Sequence, residues 1–149
     1  MYLRITSLDS VVFEGEVKKI IVPSEEGELA ILPNHIPLTC TTKAGIIQLV
    51  PKNHEESFIK SGDFLFDDDK ISISVSKGIF YTDGNINILN TSVASTTPEE
   101  SKENLEKMKL ELQEKLQELQ KNGNIEEIEA TSQELEKISA DIKLTKFKS

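Results

Sequence analysis

The side chains able to do chemistry are few in this chain and badly spaced for it. His35 and His54 are the only histidines, and no Cys or carboxylate stands in a zinc-like register with either, so each reads as structural or surface. Cys40 lies in an apolar, Thr-rich stretch without a base beside it, the setting of a small buried thiol; a catalytic thiolate would need such a base. Asp67, Asp68 and Asp69 would offer a cation hard oxygen ligands, but no EF-hand-like spacing follows, and the run reads as a solvated hairpin turn. Gly27, Gly45, Gly62, Gly78 and Gly84 stand singly, as turn glycines do, and none builds a phosphate loop before a helix. Arg4 is the sole arginine, which leaves no bidentate clamp for a nucleotide phosphate outside the first strand. The expectation is a protein with no catalytic residues, no metal and no cofactor, and therefore not an enzyme.

Composition narrows the partners. The formal charge of −9 argues against gripping nucleic acid or anionic lipid, which needs clustered positive charge. A single cysteine cannot close a disulfide within the chain, which fits a reducing compartment. No apolar run approaches the roughly 20 residues of a membrane-spanning helix, and Met1 to Ser10 lacks the pattern of a secretory signal. The reading is a soluble cytoplasmic protein with no direct membrane insertion, which reaches a membrane complex only by binding other proteins. Its 149 residues allow one modest core plus an appendage, and 5% aromatic content without Trp makes that core aliphatic.

The elements that would position these residues fall into two halves. From Tyr2 to Leu89, short aliphatic and β-branched runs alternate with Gly, Pro, Asn and Asp. The runs are Tyr2–Thr6, Val11–Phe13, Glu16–Val22, Glu28–Leu32, Gly45–Val50, Ser57–Lys60, Phe64–Phe66, Lys70–Val75, Gly78–Tyr81 and Ile86–Leu89. About ten strands predict an antiparallel β-sandwich or barrel over 1–89. In Lys70–Val75 the alternation puts Ile71, Ile73 and Val75 on a buried face and the serines on a solvated one. Residues 90–96 are small and polar and read as a hinge.

Over 97–149 the periodicity becomes helical. Thr97, Pro98 and Glu100 form a capping box, and Leu105, Met108, Leu112, Leu116 and Leu119 make one stripe, with Leu110 off it. Asn122-Gly123 ends this helix, glycine being able to take the left-handed conformation there, and Asn124 caps the next with Glu127 three residues on. Ile128, Leu135, Ile138 and Ile142 carry the second stripe, so the arm is an antiparallel two-helix hairpin. With little apolar surface of its own it should dock weakly and move.

One segment is specific: Gly27-Glu28-Leu29-Ala30-Ile31-Leu32-Pro33-Asn34-His35-Ile36-Pro37, a strand-like run closed by a turn whose prolines bracket a histidine. Preceded by Val12-Phe13-Glu14-Gly15-Glu16-Val17 and Ile21-Val22-Pro23, and followed by Gly45-Ile46-Ile47, it resembles the N-terminal domain of the epsilon subunits of F-type ATP synthases. The resemblance covers the whole chain, because that family also carries a two-helix hairpin after the sandwich.

The resemblance implies a non-catalytic central-stalk subunit that couples ion-driven rotation to ATP synthesis, its head bound to the gamma subunit and the c ring. Glu28 and His35 then correspond to the region facing the ring, against a plain role as strand edge and turn scaffold. In bacterial relatives the arm folds on the head or extends into the alpha/beta catalytic hexamer and restrains ATP hydrolysis. Lys137, Lys143, Lys146 and Lys148 would supply positive charge for an acidic loop of a beta subunit, or simply complement the helix C-terminal dipole. Where some relatives bind ATP through an Asp and an Arg at the junction, this chain has Asn90 and Val93, so ATP binding is expected to be absent or weak. The implied location is the cytoplasmic side of a bacterial inner membrane, as a peripheral protein. Two other readings remain: a β-sandwich adaptor whose coiled-coil hairpin recruits an unrelated protein, and a cupin-like metalloenzyme, for which two isolated histidines are poor material.

Overall fold

In the first strand, β1 (Tyr2–Thr6), Leu3 and Ile5 are fully buried while Arg4 is exposed, and the same period-two burial recurs over Gly45–Pro51, Gly78–Thr82 and Ile86–Thr91. The computed structural model describes residues 1–52, 58–60, 65–67, 70–96 and 102–145. Their strands are β1, β2 (Val11–Ser24), β3 (Gly27–Ile31), β4 (Leu38–Thr42), β5 (Gly45–Pro51), β6 (Phe58–Lys60), β7 (Leu65–Asp67), β8 (Lys70–Val75), β9 (Gly78–Thr82), β10 (Ile86–Thr91) and β11 (Ala94–Ser95). Two helices follow, α1 (Lys102–Asn122) and α2 (Ile125–Thr145).

Hydrogen bonding orders the strands β1-β10-β9-β4-β2-β5-β8-β11, with β3 and β6 also on β2 and β7 on β8. The long β2 joins two layers. Its first half pairs with β1 and β6, and its second half with β3 and β5. The sequence suggested two strands here, interrupted near Gly15; instead Gly15 stays paired, opposite Leu3 and Phe58, and the strand continues through it. A residue without Cβ suits a strand that serves two layers, since it lets the chain turn without a side-chain clash. β1 pairs with β10 in parallel, the exception to the expected antiparallel pattern. Its hairpin partner is β2, and β10 arrives on its free edge only after the chain has passed through the whole sandwich.

The core lies between the layers. Ile5 faces Leu89, Leu89 faces Phe80, and Phe80 faces Cys40 across β1, β10, β9 and β4. In the other layer Ile47 faces Ile73 and Leu49 faces Ile71. Among the described residues, the buried cluster apart from Phe13 and Phe80 is aliphatic. β4 was not among the expected strands. Its Thr residues are β-branched and pair along β9, a tertiary gain that the neighbouring prolines concealed.

Three expectations for the second half are corrected. Of the supposed hinge, Asn90 and Thr91 complete β10, and Ala94 and Ser95 pair with Val75 and Ser74. The small polar residues bond in place: Thr91 Oγ1 donates to the Ser76 carbonyl at 2.9 Å, and Ser76 Oγ accepts from the Val93 amide at 3.0 Å. Ser72 and Ser74 are fully buried rather than solvated, because α2 lies over β5 and β8 on that face. Gly123 is not left-handed; a Cβ there would come within 2.6 Å of a Leu119 methyl carbon, so the turn needs space rather than handedness. The Asn124 cap is as expected, its Oδ1 accepting from the Glu127 amide at 2.8 Å. Thr97, Pro98 and Glu100 lie outside the described residues, as do His54, Gly62, Asp68 and Asp69.

Candidate functional site

Glu28 stands on β3, exposed and paired across the ladder with Pro23. His35 sits in the loop between β3 and β4, half-buried, with its Nδ1 2.7 Å from the Ile36 carbonyl and its amide donating to the Leu32 carbonyl at 3.1 Å. Among the described residues no hydrogen bond or ion pair joins the two: Glu28 lies at the start of β3, in a groove shared with Lys43 and Lys143, whereas His35 follows the other end of that strand.

The loop bearing His35 is held by a second loop that sequence reasoning passed over. Asn34, at φ 67°, donates its amide to the Gly84 carbonyl at 2.9 Å, and Gly84 itself is at φ +93°. Asp83 ties that second turn together by accepting from the amides of Asn85 and Ile86 at 2.9 and 2.7 Å, and these two bonds hold its carboxyl below the usual range. The result is a double-loop tip with Leu32 and Ile36 turned to solvent. An Asp-Gly-Asn run between strands was the available signal.

On the outer face beside this tip, Ile79 and Tyr81 of β9 and Ile86 of β10 are exposed, and Tyr81 is opposite Thr39 on one side and Ile88 on the other. Alternation along each strand assigns these residues outward while Phe80 and Leu89 point into the core. Together Ile79, Tyr81 and Ile86 put an apolar row on the outer face of the sheet.

The arm residues divide. Lys137 is not free: its Nζ lies 2.6 Å from Asp141 Oδ1 and donates to Ser95 Oγ at 3.1 Å, with 12% of its side chain exposed. Lys143 is exposed at the edge of a groove that also holds Lys43 and Gln48. Lys146 and Lys148 lie outside the described residues. The i,i+4 spacing of Lys137 and Asp141 was readable as an ion pair, but nothing in the sequence told that it would face the head.

At the junction, Asn90 Oδ1 accepts from Thr6 Oγ1 at 2.6 Å, and Val93 is half-exposed at the mouth of a cleft of about 510 Å³ between head and arm. Lys77 and Lys137 line that cleft, balanced by Glu134 and Glu136, and no arginine does. Cys40 is half-buried, its thiol pushed up by burial and, less, by Glu26. That environment suits packing better than nucleophilic attack. Among the described residues no group of three or more His, Cys, Asp or Glu is placed to hold a metal, and no helix is long and apolar enough to cross a membrane.

Comparison with known proteins adds four findings. Residues 1–81 match the family model for the β-sandwich domain of the ATP synthase delta/epsilon chain. The chain is 47% identical over 62 residues to the ATP synthase epsilon chain of Dichelobacter nodosus, covering 41% of this chain and 43% of that one. It is 36% identical over 87 residues to the epsilon chain of Campylobacter curvus, covering 57% and 67%. The match thus spans less than half of the first relative and two thirds of the second. A solved structure of the Euglena gracilis mitochondrial ATP synthase, with OSCP, F1 and c-ring, contains a chain of similar fold at TM-score 0.67 and 21% identity, covering 93% of this chain and 76% of that one.

Proposed function

Since the chain belongs to the ATP synthase delta/epsilon chain family, we propose that it is the non-catalytic epsilon subunit of an F-type ATP synthase central stalk. The observation that carries this is the family match over residues 1–81, the segment that builds most of the sandwich and contains both Glu28 and His35. The head would bind the gamma subunit and the c ring, with the double-loop tip around His35 toward the ring and the Ile79, Tyr81 and Ile86 face available to gamma. A densely packed sandwich resists shear, so torque can pass through it without any proton or phosphate touching it. The complex would place this subunit at the cytoplasmic side of a bacterial inner membrane.

The arm would restrain ATP hydrolysis when it leaves the head and enters the alpha/beta hexamer, where Lys137 and Lys143 could meet an acidic loop of a beta subunit. Reconstitution with gamma, alpha, beta and c subunits tests both parts, using the full chain and a chain ended after Thr96. That cut keeps β11, and the buried cluster of the sandwich lies wholly before it. Both chains are expected to be retained by gamma and the ring, and only the shortened one to raise ATP hydrolysis. Loss of both from the complex would leave the unrelated-adaptor reading in place, and unchanged hydrolysis would remove the inhibitory role.

ATP itself should bind weakly. Asn90 is engaged by Thr6, Val93 offers no charge, and the carboxylates of Glu134 and Glu136 oppose a phosphate in the cleft. Titration calorimetry of the isolated chain should find no dissociation constant below about 1 mM, the level worth roughly 4 kcal/mol.

A further inference from the structure

Two polar contacts between head and arm meet at one place. Asp141 Oδ1 accepts from Ser74 Oγ at 2.7 Å and from Lys137 Nζ at 2.6 Å, and Lys137 also donates to Ser95 Oγ at 3.1 Å. Ser74 belongs to β8, Ser95 to β11, and β11 is itself paired to β8 with Ser95 opposite Ser74. The two serines and the ion pair therefore stitch three segments: the last strand before the arm, the strand it pairs with, and the second helix.

We propose that Ser74, Ser95, Lys137 and Asp141 form a latch that sets how firmly the arm is held on the head. Two features distinguish a latch from ordinary surface decoration. The ion pair is largely shielded, with 12% and 18% of the two side chains exposed, so removing one partner leaves a poorly solvated charge or hydroxyl behind. The contacts also sit beside the apolar dock: Ala140 and Leu144 of α2 are buried, Leu135, Ile138 and Ile142 are half-buried, and Asp141 lies between Ala140 and Ile142. Lys137 and Asp141 stand four residues apart on α2 and travel together, so releasing the arm breaks the two serine contacts and leaves the ion pair in place; the latch stands on these contacts alone, apart from the epsilon reading above.

Amide hydrogen exchange of the isolated full chain tests it, because local opening is read segment by segment. In Asp141→Ala, exchange over α2 and at Ala94 and Ser95 is expected to rise about tenfold, equivalent to about 1.4 kcal/mol, while β9 and β10 keep their wild-type rates. The double variant Lys137→Met with Asp141→Asn removes both charges yet leaves Ser74 a partner, and should return exchange to near the wild-type rate. Ser95→Ala, a milder change, should raise exchange in the same segments by about threefold. Exchange in Asp141→Ala equal to wild type, a rise spread evenly over β9 and β10, or a double variant as fast as the single one would each overturn the latch. None of these readings depends on assembly into a larger complex, so a failed reconstitution and a failed latch remain separate results.

Discussion

Phe80→Ala will unfold this protein far more readily than Tyr81→Ala, although the two residues are neighbours on one strand. Phe80 is fully buried, between Leu89 of β10 and Cys40 of β4, and truncating it removes a large apolar side chain from a core whose other buried aromatic, among the described residues, is Phe13. Such truncations cost about 3–5 kcal/mol. A domain of this size has about 5–15 kcal/mol in total, so the loss is a large fraction of it. Urea denaturation should show the midpoint falling steeply with the slope unchanged. Tyr81 points the other way and is 40% exposed. Its replacement should move the midpoint little, by about 0.5 kcal/mol. If the outer face is where a stalk partner sits, Tyr81→Ala should instead weaken retention by that partner about tenfold, as loss of a central aromatic contact does. A Phe80 variant as stable as wild type would mean that the two layers do not share the core assigned to them.

The contrast between these two residues also measures what could be read in advance. Period-two alternation is a local property, so the Gly78–Tyr81 strand and the faces of Ile71, Ile73 and Val75 were legible from the chain alone. What covers the second face of a strand is not local. Ser72 and Ser74 looked solvated because serine is polar, and are buried because a helix more than sixty positions later lies across them. The same limit hid the strand at Leu38–Thr42, whose partner β9 is distant in sequence. It also concealed the pairing of Ala94 and Ser95, which resembled a hinge because short polar residues serve turns and ladders alike. Of the candidate residues, Glu28 and His35 are proposed on an ordered set of motifs, and Asn90 and Val93 on their place at the junction. The residues that hold the His35 loop, Asn34 and Gly84, and the arm, Ser74 and Asp141, were not, because each acts by meeting a segment far away.

Gly84 shows how sharply such a meeting constrains the chain, and Gly84→Ala should produce the largest local effect at the tip. The residue is at φ +93°, where side chains other than hydrogen are rarely accommodated, and that alone costs on the order of 1–3 kcal/mol. A Cβ would also stand 2.6 Å from the His35 carbonyl oxygen and 3.2 Å from the Asn34 backbone. Those atoms cannot swing aside as a flexible side chain would. Asn34 is already in the left-handed region and bonded to Gly84, so relief must come from moving the whole loop from Leu32 to Pro37 away from the Asp83 turn. If the tip meets the c ring as proposed, the expected result is a protein whose sandwich still melts cooperatively, a few degrees lower, but whose His35 ring resonances shift and whose retention by the c ring falls more than it does in His35→Ala. Removing the ring deletes one contact, whereas displacing the loop misplaces Leu32, His35 and Ile36 together. If Gly84→Ala kept wild-type retention while His35→Ala lost it, the imidazole itself would be the contact and the shape of the tip would be irrelevant. The interlock of the two loops predicts the reverse order.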